Sequence, residues 1–200
     1  LKSLEFAIAS YNKKLYSKHF ENRQMILKNN HVFIKGYENN IAYIIEHIQG
    51  YVSEGIERYS DIVNKWLDGN SNKIDDPLKN KIIENLFMDS KVAVIYGAAG
   101  TGKSTMINYV SEVFEEKTKL FLANTHAAVD NLKHRVSSKN SKFQTISSFL
   151  QNADLEYELL VIDECSMVSN EDMFKILKNN ESKSLFKNLL LVGDTYQIES

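Results

Sequence analysis

This sequence predicts an α/β fold built on a parallel sheet and preceded by a mainly α-helical N-terminal region. Three observations carry that prediction. From Lys91 onward, short apolar runs alternate with helical stretches, the pattern of strands buried on both faces by helices. A glycine-rich loop, Gly97 to Ser104, lies between the first such run and the first such helix. Ahead of Lys91 the apolar residues instead recur at steps of three and four, the spacing of a helix face.

The N-terminal region comes first. Ile41, Ile45, Ile48, Val52, Gly55, Tyr59, Ile62 and Trp66 form one seam, which predicts a long helix with Gly55 as its weak position. Leu4, Ile8, Tyr11 and Leu15 suggest a partner helix. The stretch from Met25 to Gly36 reads either as a hairpin turning at Asn29-Asn30 or as a loop between helices. Asp68-Gly69-Asn70-Ser71-Asn72 is a stop signal. It divides the chain into an accessory region, 1–72, and an α/β domain, 73–200. Pro77 opens a short helix whose apolar face is Leu78, Ile82, Ile83, Leu86 and Phe87.

Within the α/β domain the apolar runs are 92–96, 119–123, 159–162 and 188–192. Helices are expected near 103–116, 126–137 and 170–180. Hydrophobic residues make up 43 % and charged residues 25 %, an ordinary globular composition that excludes disorder and collagen-like repeats. The 24 Lys+Arg against 26 Asp+Glu leave a net charge of -2, so any nucleic-acid site must be local and not a bulk polycation. The single cysteine, Cys165, excludes an internal disulfide and fits a reducing compartment, here the cytoplasm. No apolar run approaches the roughly 18–20 residues of a membrane span, so no membrane partner is expected. The chain opens on Leu1-Lys2-Ser3-Leu4 without a signal sequence or an initiating Met, and is expected to be a piece of something longer.

Gly97-Ala98-Ala99-Gly100-Thr101-Gly102-Lys103-Ser104 fits G-x-x-x-x-G-K-[ST] without a mismatch. At ordinary residue frequencies that pattern arises by accident in roughly 1 % of chains this long. The strand before it and the apolar-periodic helix after it match what phosphate binding needs. Glycines let backbone N–H groups turn inward, and a helix N-terminus adds positive potential. Lys103 then reaches the β- and γ-phosphates of ATP, and the Ser104 hydroxyl ligates Mg²⁺; Thr105 follows on the helix. The run Leu159 to Ile162 ends in Asp163-Glu164. Asp163 is expected to hold Mg²⁺, and Glu164 to polarise the attacking water as general base. Gln197, just past the last strand, can hydrogen-bond the γ-phosphate. Cys165 reads as a small residue packed behind the site.

These segments, in this order, resemble the motifs of superfamily 1 helicases. GAAGTGKST is similar to their first motif, NTHAAVDNL (124–132) to motif Ia, QTISSFL (144–150) to the short motif after it, VIDECSM to motif II and GDTYQIES to motif III. The likeness covers about residues 78–200 and leans toward the branch with RecD-like and nonsense-mediated-decay-type helicases. It implies a RecA-like P-loop NTPase domain that binds ATP and Mg²⁺, with single-stranded DNA or RNA running over its face. It implies nucleotide-site roles for Lys103, Ser104, Asp163, Glu164 and Gln197, and strand contacts by Asn124, Thr125, His126, Thr145 and Ser147. Lys133, His134, Arg135, Lys139 and Lys142 form a basic run nearby, which also reads as an ordinary solvated helix end.

One departure concerns the base. The family usually carries a glutamine ahead of the P-loop that reads adenine, and none occurs between Gly50 and Gln144. The likeness also implies a second RecA-like domain, in cis, as the partner that completes the motor. A different class of function stays open on the residues alone: an ATP-gated switch that presents the N-terminal helices to a protein partner without unwinding anything. A small-molecule kinase would leave the motif Ia segment unexplained.

Overall fold

The computed structural model describes residues 2–52, 54–70, 74, 76–152 and 155–194. The N-terminal region is α1 (Lys2–Lys13), α2 (Ser17–Arg23), β1 (Met25–Lys28), β2 (His31–Ile34), α3 (Lys35–Tyr51) and α4 (Tyr59–Asn70). β1 and β2 pair antiparallel, Lys28 facing His31. Asn29 and Asn30 between them have φ of +52° and +62°. Two consecutive left-handed residues make the turn that matches strand twist, and asparagine tolerates that region better than most side chains. Of the two readings open for this stretch, the hairpin is the one found.

The long seam is broken. α3 stops at Tyr51 and α4 starts at Tyr59, because the chain between them packs backbone to backbone against the entrance to the sheet. The Ile56 N–H donates to Phe87 O at 2.9 Å, and the Lys91 N–H donates to Tyr51 O at 3.0 Å. A Cβ on Gly55 would lie 1.8 Å from Met88 O. Gly55 is therefore the point of closest approach, and not the weak link of a continuous helix. The packed faces differ from the seam accordingly. Ile41 and Ile45 are exposed, while Tyr43, Ile44, Ile48 and Tyr51 pack against the core. In α4, Tyr59 and Val63 are buried and Ile62 is exposed. The Tyr43 hydroxyl donates to Glu181 Oε2 at 2.6 Å, and Asn180 Nδ2 donates to the Tyr51 hydroxyl.

The rest alternates strand and helix: α5 (Pro77–Asn85), β3 (Val92–Tyr96), α6 (Lys103–Val113), β4 (Lys119–Ala123), α7 (His126–Arg135), β5 (Ser141–Thr145), α8 (Ile146–Asn152), β6 (Tyr157–Ile162), α9 (Asn170–Lys183) and β7 (Phe186–Gly193). Asp76 caps α5, accepting from the Leu78 N–H at 2.9 Å, with Pro77 in the first turn. Only Ile83, Leu86 and Phe87 of the expected apolar face turn inward; Leu78 and Ile82 are exposed.

β3 to β7 form one sheet in the order β3-β7-β6-β4-β5, with every neighbouring pair parallel. This is the α/β architecture of RecA-like P-loop domains. Successive strand residues point to opposite faces, and the core divides on that rule. Ala93, Phe121, Leu159, Val161, Leu190 and Val192 face one cluster, under α4, α5, α6 and α7. Val92, Leu120, Leu122, Leu160, Ile162, Leu189 and Leu191 face the other, under α8 and α9. Full burial of one such side chain contributes about 1.5–3 kcal/mol, so the sheet is the main source of stability. The boundary expected at 72/73 falls on residues outside those described. On its N-terminal side, Tyr59 and Val63 share a core with Ile83, Phe87 and α6.

Lys119, the first residue of β4, is fully buried. Its ammonium donates to Phe114 O at 2.6 Å, Lys117 O at 2.9 Å and Glu115 O at 3.3 Å. It thus closes the carbonyl end of α6, although burial pushes its pKa down to about 8. Among the described residues, no helix is long and apolar enough to cross a membrane.

Gly55 and Gly50 give paired predictions of opposite sign. Gly55→Ala should lose about 3 kcal/mol, because the methyl meets backbone that cannot yield. Gly50 lies in α3 with nothing within 4 Å of the added Cβ, so Gly50→Ala should gain up to about 1 kcal/mol of helix propensity. Urea unfolding midpoints measure both. A neutral Gly55→Ala would contradict the close approach.

Candidate functional site

All five strands run the same way, so their carboxyl ends share one edge. Residues 97–102 leave β3 there and enter α6 at Lys103. The Gly97 N–H donates to Gly193 O at 3.4 Å, tying the loop to the end of β7. Thr101 folds back, its hydroxyl donating to Ala98 O at 2.9 Å. That fold leaves a Cβ on Gly97 only 2.5 Å from Thr101 Oγ1. Gly100 and Gly102 have φ of +80° and +86°, a region that costs an L side chain about 1–2 kcal/mol. No side chain caps α6, so its first N–H groups stay open to an anion.

Lys103 lies back along this loop. Its ammonium donates to Gly97 O at 2.5 Å and Ala98 O at 2.8 Å, and stands 3.7 Å from Asp194 Oδ2. β7 is interposed between β3 and β6, which is what brings Asp194 beside the lysine.

β6 delivers the carboxylates. The Asp163 N–H extends the ladder to Leu122 O at 2.9 Å, and Asp163 Oδ1 accepts from the Glu164 N–H at 3.0 Å. Asp163 is 9 % exposed. Burial raises its pKa, and the Glu164 N–H, Arg135 and Lys103 oppose that rise. Glu164 has φ of +53°, a left-handed backbone of the kind that gathers at functional sites. Cys165 is half-buried, with its thiol pKa raised by burial. Its Sγ would lie 2.9 Å from a Cβ on Gly193, so it packs directly behind the loop anchor.

These groups line a cleft of about 370 Å³, in which Lys103, Ser104, Asp163 and Glu164 meet Gly193 and Asp194. Ala99, Gly100 and Gly102 form its loop wall. Gly97, Ala98 and Thr101 shape the loop from behind, and Thr105 continues the first turn of α6. Gln197 lies outside the described residues.

The expected strand-contacting residues sit at the carboxyl ends of β4 and β5, on the same edge. At about 4.8 Å per strand, β4 is some 14 Å from β3. Thr125 caps α7, accepting from the Ala128 N–H at 3.1 Å. Asn124 is half-buried; Thr125 and His126 are exposed. Thr145 is buried and its hydroxyl accepts from the Ser148 N–H at 3.2 Å, while Ser147 is exposed.

Three residues of the cleft, Gly193, Asp194 and Arg135, carry no nucleotide-site expectation. Gly193 and Asp194 belong only to the segment that resembles motif III. Arg135 had been read within the basic run, and the structure divides that run. Lys133 pairs with Asp130 and Lys139 with Glu115. Arg135 is exposed but lines the cleft, and its Nη1 donates to Ser104 Oγ at 3.2 Å. No short-range signal marks this, since 31 residues separate the partners.

A parallel sheet, a glycine-rich loop opening an uncapped helix and a buried carboxylate opposite its lysine define a P-loop nucleoside triphosphatase. The family model described as AAA domain matches residues 79–200. The chain belongs to that family, one of P-loop NTPases that includes RecD-like helicases. No curated protein matches the chain.

The donor set fits Mg²⁺. Ser104 and Asp163 offer hard oxygens within one cleft. That is the arrangement for a magnesium ion held by one or two protein oxygens and by phosphates.

Lys103→Ala should weaken binding of a fluorescent nucleoside triphosphate analogue, with Mg²⁺, by roughly 10-fold or more, the worth of a charge-assisted contact. Equilibrium titration measures it. Equal affinity for both proteins would remove Lys103 from the site.

Proposed function

We propose that this domain is the first motor domain of a superfamily 1 helicase or translocase, which couples ATP hydrolysis to movement on single-stranded DNA or RNA. The observation that supports it is the shared carboxyl edge. Lys103, Ser104, Asp163 and Glu164 converge in one cleft there, and the motif Ia residues follow at the end of β4, the strand next to β6.

In this reading the N–H groups of the loop and of α6 hold the β- and γ-phosphates of ATP, with Lys103 moving from the loop carbonyls to the phosphate oxygens. Ser104 and Asp163 hold Mg²⁺, which neutralises the charge developing on the phosphates when bound. Glu164 takes the proton of the attacking water, and its left-handed backbone turns the carboxylate into the cleft. Gln197 monitors the γ-phosphate. Asn124, Thr125, His126 and Ser147 face the strand, with the buried Thr145 holding the first turn of α8 behind them. A second RecA-like domain in cis closes over the nucleotide, and the N-terminal helices receive a protein partner. The helicase-like motif wording favours this reading over a protein-interaction switch that hydrolyses ATP without a strand.

The test is steady-state ATPase of the intact protein with and without single-stranded DNA and RNA. The proposal expects stimulation by one of them, and expects Glu164→Gln to retain ATP affinity while losing roughly 10²–10⁴-fold in turnover. Hydrolysis indifferent to both strands would favour the switch. Unchanged turnover in Glu164→Gln would remove Glu164 as the base.

A further inference from the structure

Building on the nucleotide-site reading above, we propose that Arg135 is a nucleotide-contacting residue that faces the terminal phosphate and ties α7 to whether a triphosphate or a diphosphate is bound. Arg135 ends α7, whose first turn is capped by Thr125. It lines the cleft with Lys103, Ser104 and Asp163.

Its position is held from three sides. Arg135 Nε donates to Asn131 O at 3.1 Å, one turn back. The backbone carbonyl of Arg135 accepts from Asn108 Nδ2 at 2.7 Å, and Asn108 Oδ1 accepts from the Ser137 N–H at 3.0 Å. Asn108 belongs to α6, so the helix that starts at the phosphate loop fixes the end of α7. Nη1 reaches Ser104 Oγ at 3.2 Å.

A guanidinium carries five N–H donors. Two are used here, on Asn131 O and Ser104 Oγ, and its charge also acts on the Asp163 carboxylate. The other three belong to a rigid planar fork suited to phosphate oxygens. Ser104 and Asp163 would hold the metal, which would neutralise phosphate charge. Arg135 lines the same cleft beside Ser104, and its remaining N–H groups are placed here on the γ-phosphate oxygens. A triphosphate therefore gains a partner there that a diphosphate does not reach. Because the same side chain ends α7, that contact loads the helix carrying Thr125 and His126 only when the terminal phosphate is present.

The test compares wild type, Arg135→Ala, Arg135→Lys and, as a control on the same helix, Lys133→Ala. Affinities for a non-hydrolysable ATP analogue and for ADP, both with Mg²⁺, are measured by competition with a fluorescent nucleotide. Arg135→Ala should lose roughly 10-fold or more for the triphosphate, the worth of a charge-assisted hydrogen bond, and stay within about twofold for ADP. Arg135→Lys should fall between, and Lys133→Ala should match wild type. Hydrogen exchange gives the second readout. In wild type the triphosphate, but not ADP, should protect α7, and Arg135→Ala should abolish the difference. Equal losses for both nucleotides, or none, would overturn the proposal while leaving the nucleotide site intact. Wild type that binds neither nucleotide would overturn both.

Discussion

The direction of the five sheet strands is the constraint on which everything else rests. Because all run parallel, the loops after β3, β4, β5, β6 and β7 emerge on one edge. The phosphate loop, Asp163-Glu164 and Asp194 come from three separate stretches of chain, and only that shared edge brings them into one cleft. The order matters as much as the direction. With β7 between β3 and β6, the Gly193 carbonyl anchors the loop and Asp194 stands against Lys103. Sheet burial supplies the stability that holds these polar groups in place, since both faces are packed with side chains contributing about 1.5–3 kcal/mol each.

α6 illustrates how the fold divides its polar demands. A helix leaves unpaired N–H groups at one end and unpaired carbonyls at the other. At the carbonyl end the buried Lys119 ammonium satisfies Phe114, Glu115 and Lys117. At the N–H end no side chain caps the helix, and Gly102 enters it with a left-handed backbone. One end is sealed for stability and the other left open for an anion. Glu164 repeats the theme on β6, accepting an unfavourable backbone at the point where its carboxylate meets the cleft.

The parts legible in the sequence are those whose information is contiguous. The phosphate loop and the acidic pair each occupy a few neighbouring residues after an apolar run, so strand, loop and helix could be placed from the pattern alone. β5 was harder, because Ser-Lys-Phe-Gln-Thr at a sheet edge has no apolar run; its last two residues could be read only as part of a helicase-like motif. The long helix through Gly55 was misread because its spacing is continuous, whereas the break is imposed by Met88, 33 positions away. Arg135 looked like one of several solvated cations for the same reason. What aims its exposed side chain at the cleft is the contact between α6 and α7, made through Asn108 and Ser104, and nothing local to α7 records that contact.

The central claim is that this edge holds a metal–nucleoside triphosphate. The most direct measurement is a crystal structure with a non-hydrolysable ATP analogue and Mn²⁺, located by its anomalous scattering. The account predicts a manganese peak within coordinating distance of Ser104 Oγ and at the Asp163 carboxylate, with the phosphates over the N–H groups of residues 98–104. A peak or phosphates elsewhere on the molecule, with this cleft unchanged, would contradict it.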